Sequence, residues 1–365
     1  MYALNEVMAR LEGLAPSHLA EKWDNVGLMI GSRKQSIKKV LCALDLNLEV
    51  IEEAIEKGAN LIVTHHPCFF KPIHQIDLDT PMGQMIKKLI QHEIAVFAMH
   101  TNLDIVKGGI NDYLASKLNL KEIKLLTSTS STKLQKLVLY VPGTHYEQVR
   151  DKLIEVNTCT IGNYVGCTFG TKGKGTFIPL EGSKPYLGET NTLEVVDEVK
   201  LECMIYPSEL KSLMDEIKKV HPYEEIAYDV FDLENVTVTE GLGRVGLCEP
   251  ISIEALTQKL KEIFNIPYVR LVGNQKEEVS RIALCSGSGA SFIKVAASKA
   301  QVYITGDVGF HEAQDAISRG LTVIDVGHYA SENVAMPLIK GYLETHCKDL
   351  EVLCSTVNGE TFKTV

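Results

Sequence analysis

Leu61-Ile62-Val63-Thr64-His65-His66-Pro67 is an unbroken apolar and β-branched run that ends in two imidazoles and a proline. A short run of this kind, with no alternation of polar residues, is the pattern of a strand buried on both faces, as in a parallel sheet covered by helices. In open α/β sheets the ligand sits beyond the carboxyl ends of the strands, which is where His65 and His66 fall. Two further stretches have the same character: Met99-His100-Thr101-Asn102-Leu103-Asp104 and, far along the chain, His328-Tyr329-Ala330-Ser331-Glu332. Strands of a common fold bring distant ends together, so the three stretches read as one metal site.

Working outward, strand-like runs at 41–46, 61–64 and 94–99 alternate with helix-period segments at 47–56, 82–92 and 110–118. A second series has strands at 282–285, 302–305 and 322–326 and helices at 291–298, 311–318 and 333–342. Both series predict largely parallel sheets. Between them the Ser/Thr run 127–132 and the glycine-rich return 239–246 bracket a β-α-β-β-α-β order: 136–141, 146–156, 162–177, 199–206, 210–220 and 226–231. That order is the ferredoxin-like pattern. The expected architecture is α/β, with two α/β lobes on mixed, largely parallel sheets forming one discontinuous domain, and an inserted ferredoxin-like α+β domain. The expected bounds are 1–126 for the N-terminal lobe, 127–243 for the insert and 244–365 for the C-terminal lobe that completes the metal site.

Composition narrows the function classes. The formal charge is −10, from 37 basic and 47 acidic residues, with no long basic run, which argues against a phosphate-neutralising nucleic-acid surface. Nine cysteines without a C-x-x-C pair, several inside apolar runs, suit buried thiols in a reducing compartment. The first residues lack the basic and apolar regions of a signal peptide, and no apolar stretch nears the roughly 18 residues that span a bilayer. A cytoplasmic location without membrane contact is the expectation.

His65, His66, Asp104, His328 and Glu332 are the candidate ligands. Two tetrahedral ions offer about eight positions; one bridging carboxylate, four terminal side chains and one shared solvent molecule fill them. The count predicts a dinuclear centre, a common hydrolytic device. Ser331 is expected to cap a helix whose first turn carries Glu332. His100 is a candidate acid/base that lines the site without ligating; His311 either touches substrate or has no chemical role. Gly241-Leu242-Gly243-Arg244-Val245-Gly246 matches the dinucleotide G-x-G-x-x-G literally, but the next helix starts several residues later, behind Ser252, so an interdomain turn is the better reading. Ser286-Gly287-Ser288-Gly289-Ala290-Ser291 suits either an anion held on free N–H groups or a tight turn that needs small residues. Trp23-Asp24-Asn25 and His221-Pro222-Tyr223-Glu224-Glu225 are polar clusters without evident partners.

Taken together, W-D-N-x-G-L at 23–28, T-H-H-P at 64–67, H-T-N-L-D at 100–104, G-S-G-x-S at 287–291, T-G-D at 305–307 and G-H-x-x-S-E at 327–332 resemble the GTP cyclohydrolase type 2 homologues, or NGG-interacting-factor-three-like proteins. The central segment is similar to the PII/CutA-like insert of longer bacterial members, with G-N-Y at 162–164 and H-P-Y-E-E at 221–225. The resemblance implies two divalent metal ions per subunit on the five candidate ligands, with Glu332 bridging. Zinc comes first; iron, manganese, cobalt and nickel also suit such donors. It further implies a homo-oligomer, a toroidal hexamer built as a trimer of dimers, acting on an unidentified small molecule. The family name implies hydrolytic opening of GTP. The expectation is a metal-dependent hydrolase on a nucleotide-like or small anionic substrate; the alternative is a non-catalytic metal-binding or regulatory assembly with a small-molecule-sensing insert. The tail 356–362 keeps part of the family's closing pattern.

Overall fold

The structure, a computed structural model, describes residues 2–156, 159–161, 164–273 and 278–363. It divides into two compact units, 1–130 with 240–365, and 131–239.

Two sheets build the larger unit. In the first, Glu351–Cys354, Lys39–Ala43, Leu61–Thr64 and Ala95–Ala98 run parallel in that order, and Gly27–Ile30 closes the edge antiparallel to Ala95–Ala98. Apart from Lys39, the residues of the inner strands are buried, which explains their continuous apolar runs. Helix signals are read locally: Asn47 caps Leu48–Lys57 by accepting from the Val50 N–H, and Gly58 ends it in the left-handed conformation. Thr80 and Pro81 start Pro81–Gln91 in the same manner.

The second sheet corrects the expectation of largely parallel pairing. Thr322–Asp325, Val302–Gly306 and Val279–Ser288 are parallel, but Arg270–Val272 pairs antiparallel at one edge, and Arg244–Ile251 and Lys121–Leu125 add two antiparallel strands at the other. Only the first half of the glycine-rich motif 241–246 is a turn: it ends at Gly243, and residues 244–246 open the strand Arg244–Ile251, with Ser252 capping the helix Ile253–Phe264 after it. Each end of the chain also lends a strand to the other's sheet, Lys121–Leu125 to the second and Glu351–Cys354 to the first. One hydrophobic core runs between the two sheets, joining Val63, Phe97 and Leu103 to Leu284, Ile304 and Ile324.

Glu53 ties the C-terminal strand down. It accepts from the Thr356 N–H at 2.9 Å, the Thr356 hydroxyl at 2.6 Å and Lys57 Nζ at 2.7 Å, and from the Ser355 hydroxyl. Burial opposes ionisation, but these hydrogen bonds outweigh it and hold the carboxyl at about 2. Discounted for solvent screening, its contribution is about 1 kcal/mol. A depressed carboxyl stabilises above its unfolded value of 4.5 and loses that as pH falls towards 2. Glu53→Gln is expected to lower the urea midpoint at pH 7, with the gap to wild type closing steadily between pH 4.5 and 2.

The smaller unit has strands Ser130–Pro142, Thr168–Phe177, Glu194–Ile205 and Tyr228–Glu240 and helices Tyr146–Glu155 and Leu210–Ile217. Glu194–Ile205 lies between Ser130–Pro142 and Thr168–Phe177, antiparallel to both, and Tyr228–Glu240 forms an edge. Leu137, Leu139 and Val141 alternate onto one face and pack with Leu201, Ile205, Val149, Leu153, Leu213 and Ile217. Gly162 and Asn163 of the G-N-Y motif lie outside the described residues. Among the described residues no helix is long and apolar enough to cross a membrane.

Candidate metal centre

The parallel pairing aligns strand ends. Ala43, Thr64 and Ala98 stand in register, as do Thr305 with Asp325 and Ser288 with Gly306. Each strand therefore releases its next polar residues at one level: Asp45, His65, His66 and His100 from the first sheet, Asp307 and His328 from the second. Within the larger unit these ends face each other. All five candidate ligands come together, in two three-donor groups that share Glu332: His65, Asp104 and Glu332, and His66, His328 and Glu332. His65, His66 and His100 form a third. Within each group the donor atoms lie within 4.8 Å of one another; atoms each about 2 Å from a common ion stand at most about 4 Å apart, so small side-chain rotations would bring each group onto one ion.

Two one-turn helices deliver the acids. His328 and Glu332 lie four apart on His328–Asn333, and His100 precedes Thr101–Ile105, which carries Asp104, so each His-x-x-x-acid pair spans one turn and faces one way. The expectation that Ser331 caps the helix is overturned. Gly327 starts it at φ 84°, and Ser331 lies inside, where its hydroxyl accepts from the Gly287 N–H at 2.9 Å.

The ring nitrogens carry the chemical argument. Every Nδ1 is held by an acceptor: His65 by the Met99 carbonyl at 2.8 Å, His66 by Asp45 at 2.7 Å, His328 by Asp307 at 2.6 Å and His100 by Asp24 at 2.9 Å. The Nδ1 proton is thereby fixed, and Nε2 of His65, His66 and His328 is left as a bare lone pair facing carboxylate. His66 Nε2 and His328 Nε2 stand 2.9 and 3.0 Å from Glu332 Oε2, while His65 Nε2 is 3.7 Å from Glu332 Oε1 and 3.8 Å from Asp104 Oδ2. His65 Nε2 and Glu332 Oε2 are buried without a hydrogen-bond partner. Acceptor facing acceptor in a buried site requires a cation or extra protons between them. Without an ion the protons must serve: against desolvation, Asp45 and Glu332 raise His66 to about 10, and Glu332 and Asp307 raise His328 to about 9. Burial pushes the Asp104 carboxyl up, and Glu332 adds to the push; the surrounding imidazoles hold Glu332 itself low against its own burial. The donor set thus fits divalent cations.

Ser286 to Gly289 supplies the wall. The Ser286 hydroxyl donates to Asp104 Oδ1 at 2.9 Å, and its N–H donates to Asn111 Oδ1 at 3.0 Å. Gly287 sits at φ 59°, and a Cβ there would stand 2.0 Å from Glu332 Oε1. The Gly289 N–H donates to the Thr305 hydroxyl at 3.0 Å. Ser286, Gly287 and Gly289 spend their N–H groups on the protein, and small residues at this turn make room for Glu332.

Above the centre opens a cavity of about 1160 Å³, lined in part by His66, His328, Tyr268, Arg270, Tyr329 and Phe362. The tail from Gly359 to Lys363 lines it too. His311 is exposed on Phe310–Ser318 and belongs to none of the donor groups. Asp24, left without a partner by sequence, accepts from His100 Nδ1, the Thr101 hydroxyl at 2.5 Å and the Thr101 N–H at 3.1 Å. Burial would raise its carboxyl, but these bonds and the charge of His100 bring it to about 2. Asp45 and Asp307 were missed as histidine supports, although each follows a strand end by the same rule that found the ligands.

The family described as Duf34/NIF3 (NGG1p interacting factor 3) matches residues 2–360. A Listeria innocua protein named GTP cyclohydrolase 1 type 2 homolog is 43% identical over 366 residues, covering 98% of each chain. A protein of the same name from Halalkalibacterium halodurans is 41% identical, over 98% of this chain and 97% of its own. The crystal structure of a Bacillus cereus protein related to NIF3 superposes with a TM-score of 0.84 at 36% identity, covering 100% of this chain and 99% of that one.

Proposed function

Because the chain belongs to the Duf34/NIF3 family, and its buried imidazoles face buried carboxylates in an arrangement that calls for a cation or extra protons, we propose that it is a dinuclear metal-dependent hydrolase acting on a nucleotide-like or other small anionic substrate. The carrying observation is the orphaned pair His65 Nε2 and Glu332 Oε2 at the junction of two donor groups. One ion would take His65, Asp104 and Glu332, the other His66, His328 and Glu332, with Glu332 bridging. Bound divalent ions supply Lewis acidity and activate water.

The protein's own groups do the rest. The strand ends preorganise the donors, because Met99, Asp45 and Asp307 fix each imidazole before any ion arrives. His100, oriented by Asp24, has the placement of an acid/base: its ring centroid is 5.2 Å from that of His65 and 5.4 Å from that of His66. A cavity of about 1160 Å³ is roomy enough for a nucleotide; Arg270 on its wall is paired with Asp325, and Asp45, Asp307 and Glu360 line it beside Lys363, so the charge that would favour an anionic ligand would come from bound cations. The relatives' printed name points to GTP, and ring opening with release of formate is the first reaction to test. The strand order of the smaller unit supports a ferredoxin-like, PII-like insert; a hexamer and a cytoplasmic location complete the reading.

Elemental analysis of purified protein, then a screen of reconstituted protein against nucleoside triphosphates for formate and phosphate release, tests the proposal. Bound divalent metal with no turnover across the panel would leave the non-catalytic regulatory reading standing instead. If turnover is found, His100→Gln is expected to lower kcat about 10²- to 10⁴-fold with metal content unchanged. Asp24→Asn should cost less, because it frees the ring without removing it. Equal kcat in wild type and His100→Gln excludes the acid/base role.

A further inference from the structure

The smaller unit has a cavity of its own, about 350 Å³, built wholly from residues between 140 and 227. That is the lower range of small-molecule sites. Its walls are aromatic rings set at steep angles: Tyr223 lies 6.1 Å from Phe177 at 66° and 6.4 Å from Tyr186 at 51°, centroid to centroid. Three carboxylates complete the lining, Glu198, Glu224 and Glu225, with no lysine, arginine or histidine among the described lining residues. Two amines on the adjoining strands are engaged elsewhere, Lys200 with Glu202 at 3.1 Å and Lys174 with Asp197 at 2.9 Å.

The H-P-Y-E-E motif builds this corner. His221 is buried; its Nε2 donates to the Tyr140 carbonyl at 3.1 Å, so its Nδ1 is free to accept from the Tyr223 N–H at 3.2 Å. The Tyr223 hydroxyl donates to Glu198 Oε1 at 2.9 Å. Gly175 on the neighbouring strand leaves the space this carboxylate fills, since a Cβ there would stand 2.2 Å from Glu198 Oε2. Ring and carboxylate are thereby both held in place before any ligand arrives.

Aromatic faces beside fixed negative charge repel anions and attract a poorly hydrated cation through the ring quadrupole as well as Coulomb attraction. Among the described residues the three-donor groups able to hold a metal ion are confined to the centre in the larger unit, so these carboxylates are too dispersed for a metal ion. We propose that this cavity binds a small organic cation, its ammonium head enclosed by Phe177, Tyr186 and Tyr223 and neutralised by Glu198 and its neighbouring carboxylates.

Ligand-observed NMR on the full-length chain, with choline and its uncharged carbon isostere 3,3-dimethylbutan-1-ol, tests this. Choline is expected to saturate a site in the millimolar range, with the isostere about tenfold weaker. Tyr186→Ser and Glu198→Gln should each weaken choline by about the same factor, while thermal unfolding and bound-metal content stay as in wild type. Equal affinity for choline and the isostere, choline binding indifferent to both variants, or no choline signal up to about 100 mM would each overturn the assignment. Retained metal content in the variants separates this result from any failure of the proposed hydrolase.

Discussion

Glu332→Gln is expected to empty the metal centre while leaving the fold intact. Glu332 is shared by two of the donor groups and is the acid on which His65, His66 and His328 converge. Glutamine keeps the side chain's shape but loses the charge that balances a divalent ion. Supporting residues such as Asp45 set a scale, since loss of such a hydrogen bond to a ligand costs about 10- to 100-fold in metal affinity. Asp45→Asn should fall in that range, and removal of the shared ligand should exceed it. Elemental analysis after reconstitution and dialysis is therefore expected to find about a tenth or less of the wild-type metal in Glu332→Gln, with loss of any turnover the reconstituted wild type shows. Metal-free stability should fall as well. Without an ion the His66 and His328 imidazoles carry protons towards Glu332, and glutamine forfeits those charge-assisted bonds, so the ion-free variant should melt below ion-free wild type at pH 7. Wild-type retention of metal would eliminate Glu332 as a ligand.

Much of this centre was legible because parallel strands write their ends into sequence. A continuous apolar run that stops at His65-His66-Pro67 marks both the strand and its carboxyl end, and all five candidate ligands converge as read. The four-residue spacing of His100 with Asp104 and of His328 with Glu332 was visible as well, but its cause was misplaced. Ser331 resembles an N-cap, yet Gly327 at φ 84° lets the helix begin at His328, and tertiary pairing with Gly287 claims the Ser331 hydroxyl. Less legible were residues that act on a ligand from another strand. Asp45 and Asp307 reveal themselves only through His66 and His328, and Asp24 only through His100, 76 positions away. Arg244–Ile251 was hidden for a different reason. Its opening residues match a phosphate-binding pattern by letters alone, and nothing local says that the glycines at 241 and 243 pack against the backbone of residues 127 and 284.

Arg244→Ala should be the most destabilising single change in the larger unit. The guanidinium is 2% exposed and spends all its donor nitrogens. Nε and Nη2 bind Asp112 at 2.7 and 2.8 Å, Nη1 the carbonyls of Gly241 and Gly243 at 2.8 and 2.9 Å, and Nη2 also the Val106 carbonyl at 3.1 Å. Truncation leaves a partly buried carboxylate and several carbonyls without donors, and breaking a buried pair from one side costs about 3–5 kcal/mol. In a unit of this size that is a fall in Tm of roughly 6–15 °C. Lysine should not rescue it, since a single ammonium cannot match a planar fork bound on both edges. The damage should also reach the centre. Arg244 anchors Asp112 on the helix Ile110–Lys117, the same helix that carries Asn111, and Asn111 holds Ser286, which holds Asp104. A loosened helix would release the first donor group and not the second, because His66 and His328 are braced by Asp45 and Asp307. Arg244→Ala is therefore expected to bind the two ions proposed above with unequal affinity, one near wild type and one weakened, in a calorimetric titration below the new Tm. Two equally weakened sites would mean that the helix does not transmit the change and that the loss is general unfolding.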